Sequence, residues 1–245
     1  MLAKRIIVVL TYYKGVLFRT KKFFPDYRYT DNFIGNESID EIVILDVSRN
    51  LNFRKDFYRC IDNISNNCFV PISVGGMINK FSEIKKLQNC GADKIIVNSL
   101  AYNNPKEVKK IIDYYGSQFV IIGIDAKKSI DKYSVYINQG QKKINVNLFD
   151  YIENIQKLDP GEILLQSIDY DGSLQGYDYN LIKLCKKKIK KPLLVCGGAG
   201  SWEHFEKALK LLDVDGVCTT NIFHFSEKSI FLLKKNLLSK KIYVR

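Results

Sequence analysis

The residues of this 245-residue chain whose types and spacing most directly suggest chemistry lie between Leu193 and Glu203, LLVCGGAGSWE. An apolar run, Leu193-Leu194-Val195, stops at Cys196-Gly197-Gly198-Ala199-Gly200 and passes into Ser201-Trp202-Glu203, where Ser201 and the acidic Glu203 fit a helix N-cap. The order is strand, glycine turn, helix start. Glycines let a ligand approach the backbone closely, and the free N–H groups and dipole of a new helix favour a phosphate. A tight βα turn without any ligand has the same pattern, and the stretch alone does not decide between the two. Cysteine chemistry is less promising. Cys60, Cys68, Cys90, Cys185, Cys196 and Cys218 show no CxxC spacing and no neighbouring histidines, so the expectation is buried free thiols, no metal site and no cofactor.

A glycine turn of this kind needs a strand before it and a helix after it. Strand-like apolar segments recur at Ile6–Leu10, Glu41–Leu45, Ile72–Val74, Lys94–Val97, Phe119–Ile124, Glu162–Gln166, Leu193–Val195 and Gly216–Thr219. Helical patterns follow at Asp31–Asn36, Arg54–Asn66, Lys80–Asn89, Pro105–Tyr115, Leu148–Leu158, Tyr179–Lys188, Trp202–Leu212 and Glu227–Ser239. Eight βα units predict an all-parallel α/β fold, a single (βα)8 TIM barrel over residues 1–245. Two connections are long: Thr11–Thr30, rich in aromatic and basic residues, and Asp131–Asn145, which reads as a polar hairpin. The halves repeat at an offset near 121 or 122, so that Glu41 matches Glu162 and Pro71–Gly76 matches Pro192–Gly198. Half-barrels near 1–117 and 118–245 predict two phosphate sites on opposite sides of the mouth.

The formal charge of +12 is compatible with an anionic substrate, but Lys, Asn, Ile and Tyr are abundant together, so a compositional bias accounts for it equally well and a nucleic-acid partner is not expected. Lysine runs such as Lys186-Lys187-Lys188 and Lys234-Lys235 are expected near helix C-terminal ends. No apolar run approaches the roughly 20 residues of a membrane span. With no signal-peptide pattern at the N-terminus, a cytoplasmic protein is expected.

Five stretches carry a family resemblance: MLAKRIIVVL, GSQFVIIGIDAKK (Gly116–Lys128), GEILLQSIDYDGSLQGYD (Gly161–Asp178), CGGAGSWEHF (Cys196–Phe205) and NIFHF (Asn221–Phe225). In this order they resemble the HisF family, the cyclase subunits of imidazole glycerol phosphate synthase. The resemblance implies a barrel whose bottom face docks a HisH-type glutaminase as a heterodimer, with ammonia passing through the barrel to a bisphosphate at the top. It places an ammonia gate at Arg5, Glu41, Lys94 and Glu162, where spacing alone reads as ordinary bottom-face charges. Asp93 and Gln118 match positions facing the glutaminase. Asp125 matches one of two catalytic carboxylates, and Arg19 a basic residue that closes over the substrate. Asn98 and Ser99 match substrate-side positions after the fourth strand and Asp169, Asp171 and Gly172 positions after the sixth; Gly197 and Gly198 with Thr220 and Asn221 match one phosphate site, and Gly76 belongs to the matching N-terminal turn. Without the resemblance, Asp125 and Asp169 read as loop-capping groups.

Two positions depart from the family. Thr11 stands where the second catalytic carboxylate belongs, and a hydroxyl without a neighbouring base is no substitute in acid–base catalysis, where loss of such a group costs a factor of about 10² to 10⁴. Met77 replaces a phosphate-side glycine and is expected to crowd or shift that phosphate. With the loop Phe18–Phe33, these departures resemble HisF-like paralogues of surface-polysaccharide or flagellin-sugar pathways. Those proteins accompany a HisH-like glutaminase and a third, amidotransferase protein, and ammonia converts an acetamido group to an acetamidino group. The implied role is an ammonia conduit to a phosphorylated small molecule or sugar, with the histidine-pathway cyclase and a non-catalytic scaffold as alternatives.

Overall fold

Short runs of Ile, Val and Leu, each ended by glycine or polar residues, form the parallel strands of the protein. The computed structural model describes residues 3–28, 39–130, 132–220 and 229–245. The barrel strands are β1 (Arg5–Tyr13), β4 (Glu41–Asp46), β5 (Ile72–Gly75), β6 (Lys94–Val97), β7 (Val120–Ser129), β10 (Glu162–Ser167), β11 (Leu193–Cys196) and β12 (Gly216–Thr219). They pair in parallel in the order β1-β4-β5-β6-β7-β10-β11-β12, and β12 returns to β1, closing a (βα)8 TIM barrel. Alternation along β1 explains its unbroken hydrophobicity: Ile6, Val8 and Leu10 pack outward under the helices, whereas Ile7 and Val9 point into the lumen.

Between the strands lie α1 (Arg54–Asn66), α2 (Ile84–Asn89), α3 (Ser99–Asn103), α4 (Pro105–Tyr115), α5 (Leu148–Gln156), α6 (Tyr179–Lys186), α7 (Trp202–Glu206) and α8 (Ser229–Ser239). Local chemistry sets their starts. Asn104 Oδ1 accepts the Glu107 N–H at 3.2 Å ahead of Pro105, Asn147 Oδ1 accepts from Phe149 and Asp150, and Asp178 Oδ1 accepts from Leu181 at 3.0 Å. The helix expected over Trp202–Leu212 is α-helical only to Glu206 and then widens into a π turn over Lys207–Leu211. Its Ser201 cap is reciprocated by His204. The helix α3 is additional to those expected, and the expected Asp31–Asn36 helix lies outside the described residues. Lys234-Lys235 is not at a helix end but within α8, where Lys234 Nζ pairs with Asp40 at 2.5 Å.

Both long connections are β-hairpins growing from overlong strands. Thr11, Tyr12 and Tyr13, expected in a loop, continue β1, which turns back into β2 (Val16–Lys21) and β3 (Phe24–Arg28). Similarly β7 runs on to Ser129 and pairs with β8 (Lys132–Ile137), itself paired with β9 (Lys142–Asn147). The half-barrel repeat recurs in hydrogen bonds. Asp93 Oδ2 accepts the Ile72 N–H at 2.8 Å, and Asp215 Oδ2 accepts the Leu193 N–H at 2.8 Å. No described helix is long and apolar enough to cross a membrane.

Candidate active site

Strand register determines which side chains meet in the lumen. Arg5, Glu41, Lys94 and Glu162 occupy the first positions of β1, β4, β6 and β10, so they meet at the bottom of the barrel. Arg5 Nη1 donates to Glu41 Oε1 and Glu162 Oε1, both at 2.8 Å, and Lys94 Nζ lies 3.5 Å from Glu41 Oε2 and 3.2 Å from Glu162 Oε1. The result is a closed ring of alternating charge. Burial works against the Arg5 charge, but Glu162 and Glu41 outweigh it and raise its pKa. Glu162 Oε2 is buried without a partner. Above the ring the lumen is apolar, filled by Ile7, Val9, Val43, Ile96, Ile121 and Leu164, with Leu194, Cys196 and Cys218 on one wall.

At the carboxyl ends of the strands a cavity of about 340 Å³ opens, lined among others by Thr11, Gly76, Met77, Asn98, Ser99, Asp125 and Gln166. Asp125, near the top of β7 and in register with Gln166, meets this cavity on one side and protein on the others. Burial, with a contribution from the charge of Asp171, raises its pKa to about 7. A carboxyl poised there can donate or accept a proton near neutrality. Thr11 lines the same cavity, but its hydroxyl donates to the Phe18 carbonyl of the first hairpin. The bond thus ties the rim of β1 to β2.

The two glycine turns matched by the internal repeat differ in their surroundings. On the N-terminal side, Gly76 must be glycine, since at φ +94° a Cβ would come within 2.2 Å of the Asp46 carbonyl. Met77 takes φ +54° beside it, the left-handed backbone a glycine would adopt, with its side chain on the cavity wall. Ser99 Oγ accepts the Asn138 N–H at 2.9 Å, and Asn98 Nδ2 donates to the carbonyls of Gly123 and Tyr136 at 3.2 and 3.3 Å. Both side chains thus hold the β8–β9 hairpin. On the C-terminal side, Asp171, Gly172, Gly197, Gly198 and Thr220 line a small separate cleft. Gly197 and Gly198 have φ +98° and +102°, and a Cβ on Gly198 would lie 2.0 Å from the Gly176 carbonyl. Backbone packing therefore requires this glycine whatever the ligand. Asp171 Oδ2 accepts the Phe23 N–H at 2.9 Å, which ties the first hairpin to this side. Burial raises the pKa of Asp171 against that bond.

Three expected residues stand apart. Arg19 pairs with Asp26 of its own hairpin at 2.5 Å and does not line the cavity. Asp169 Oδ2 accepts the Lys128 N–H at 2.7 Å, a clasp on β7. Asn221 lies outside the described residues. Among the described residues, no three His, Cys, Asp or Glu side chains gather as metal ligands would.

Other cavity residues were not singled out by the sequence. Asp46, almost fully buried, pairs with Arg54 at 3.2 Å and accepts the Ser48 N–H at 3.0 Å. Gln139, from the β8–β9 turn, donates to the Asp46 carbonyl at 3.0 Å, and Arg49 bonds Gln139 in turn. Asp46 closes β4, just as Asp125 follows the apolar run Phe119–Ile124, and that placement was the available signal. For Gln139 and Arg49 no local signal existed, because both reach the cavity only through the folding of the hairpins.

The model of a family described as "histidine biosynthesis protein" matches residues 6–229. The chain is 38% identical to the imidazole glycerol phosphate synthase subunit HisF of Dictyoglomus thermophilum, across 100% of this chain and 99% of that protein. It is 35% identical to the HisF subunit of Natranaerobius thermophilus and 36% to that of Chlorobium phaeovibrioides, each across the full length of both chains.

Proposed function

Since the chain belongs to the HisF family, we propose that it is an ammonia-using synthase subunit that acts on a phosphorylated substrate at its mouth, with a glutaminase docked below. The observation that carries this reading is the vertical order of the lumen: a closed ring of four charges, a layer of packed apolar side chains, then a cavity holding Asp125. Ammonia released below enters past Lys94, whose two carboxylate contacts of 3.2 and 3.5 Å are the longer bonds of the ring. The apolar lumen carries the neutral molecule and resists ammonium, because a lone charge in such surroundings is strongly disfavoured. Asp125 then serves as the acid–base group where ammonia adds. The partner's face is the bottom, where Phe69 precedes β5 and Tyr114 ends α4, both strongly exposed, with exposed Gln118 nearby.

The substrate in this reading is not the bisphosphate of the histidine pathway. Thr11 is bonded to a hairpin carbonyl in place of a second carboxylate, and Met77 occupies the N-terminal phosphate turn. A sugar acetamido group activated for attack by ammonia, as in surface-glycan synthesis, needs the conduit and one acid–base group. The purified chain supplied with ammonium and the bisphosphate cyclase substrate is expected to form imidazole product at most at about 10⁻² of the rate of a two-carboxylate enzyme. Turnover at the full rate assigns it to the histidine pathway instead.

A further inference from the structure

Arg49 is a cation at the mouth for which the residues described so far do not account. It follows β4, adopts φ +56° and lines the main cavity. Its guanidinium carbon lies 5.0 Å from the centre of the Phe24 ring. Nε donates to Gln139 Oε1 at 3.1 Å, and Nη2 donates to the carbonyls of Phe23 at 3.1 Å and Gln139 at 3.2 Å. All three acceptors are neutral. Arg5, Arg19 and Arg54 each meet a carboxylate, whereas Arg49 forms no ion pair among the described residues. A left-handed backbone in a non-glycine residue is strained and persists where surrounding contacts impose it. Here it turns a long, permanently charged side chain into a cavity.

The same half of the mouth is short of free side-chain donors. Met77 stands at its glycine turn, and Asn98 and Ser99 are bonded to the β8–β9 hairpin. We propose that Arg49 is the anion-binding residue of this half. Its Nη1, which donates none of the three bonds above, takes a phosphate-type dianion of the substrate. Meanwhile Nε and Nη2 hold the tips of both hairpins over the bound group. Arginine suits the task because its planar fork bonds several acceptors at once and stacks on an aromatic ring. The cation thus adds a charged donor beside a glycine turn whose wall carries the apolar Met77 side chain, and it couples anion binding to closure of the mouth. The inference rests on the reading of the mouth as a site for a phosphorylated substrate.

Inorganic phosphate titrated calorimetrically into the full chain tests both statements. The wild type is expected to take two phosphates, one on each side of the mouth. R49A is expected to weaken one of them about 10- to 100-fold, the range of a charge-assisted bond, and to leave the other intact. R49K, which keeps the charge without the fork, should fall between, and thermal melts report whether each variant folds. If R49A does not fold, R49K carries the comparison, and an affinity equal to the wild type overturns the assignment. If the wild type binds a single phosphate, its loss in R49A supports the assignment and its retention overturns it. Two unchanged sites in R49A overturn the role of Arg49 while the phosphate reading stands; a wild type that binds no phosphate removes both.

Discussion

In the proposed function the chemistry of the mouth turns on Asp125. Its pKa is raised to about 7 chiefly by burial, so folding favours the protonated form. A carboxyl shifted upward contributes stability fully below its unfolded value near 4, and that contribution is lost as the pH rises through about 7. Asp125→Asn, which keeps the shape and removes the charge, is therefore expected to raise the melting temperature by a few degrees at pH 8 and to change it little at pH 4. Activity should vanish in the same variant. Equal melting temperatures at pH 8 would mean that the wild-type carboxylate ionises there without cost. Thr11 does not offset this dependence on one group, because its hydroxyl is bonded to Phe18.

At the scale of elements, the barrel is a platform and the two hairpins are its cover. The first is tied to Asp171 on the C-terminal side through the Phe23 N–H. The second is tied to the N-terminal side through Ser99, Asn98 and Gln139. Gln139 both donates to Asp46 and accepts from Arg49, so it joins the β8–β9 tip to the end of β4. Gln139→Ala removes two bonds across an otherwise polar and accessible tip. Trypsin should then cut after Lys142 or Lys143 several-fold faster, read by mass spectrometry, with little change in global melting. Cleavage at the wild-type rate would show that the backbone ladder alone holds the hairpin.

For the whole molecule, the question is how the two ends of the barrel communicate. A partly buried ring of opposed charges contributes little net stability, since desolvation offsets its Coulombic gain, yet removing one member leaves the others uncompensated. Lys94 is the more peripheral cation, with side-chain exposure of 19% against 13% for Arg5. Lys94→Ala is expected to alter the ratio of product formed to glutamine hydrolysed in the complex with the glutaminase, while supplied ammonium supports the same rate as in the wild type. A ratio unchanged by the substitution counts against the ring as an entry point. The same measurement reports on docking, because the face proposed for the partner lies beneath this ring and carries the exposed Phe69 and Tyr114.

The amino-acid sequence by itself determined the eight barrel strands, because a parallel strand buried on both faces must be apolar throughout, and it placed those of the following helices whose starts carry a local cap. It also located the glycine turns and, through the repeat, the pairing of Glu41 with Glu162 and of Gly76 with Gly198. Family resemblance then marked Asp125 and the four charges of the ring. Tertiary structure decided the rest. The loop expected from Thr11 became strand and hairpin because β1 runs past the barrel rim to pair with β2, as β7 does with β8, where periodicity is interrupted by aromatic and basic residues. Arg49, Gln139 and Asp46 came together only because those hairpins fold back across the mouth, bringing residues 90 positions apart into one hydrogen-bonded contact. Such contacts have no local signature, since they depend on closure of the whole barrel.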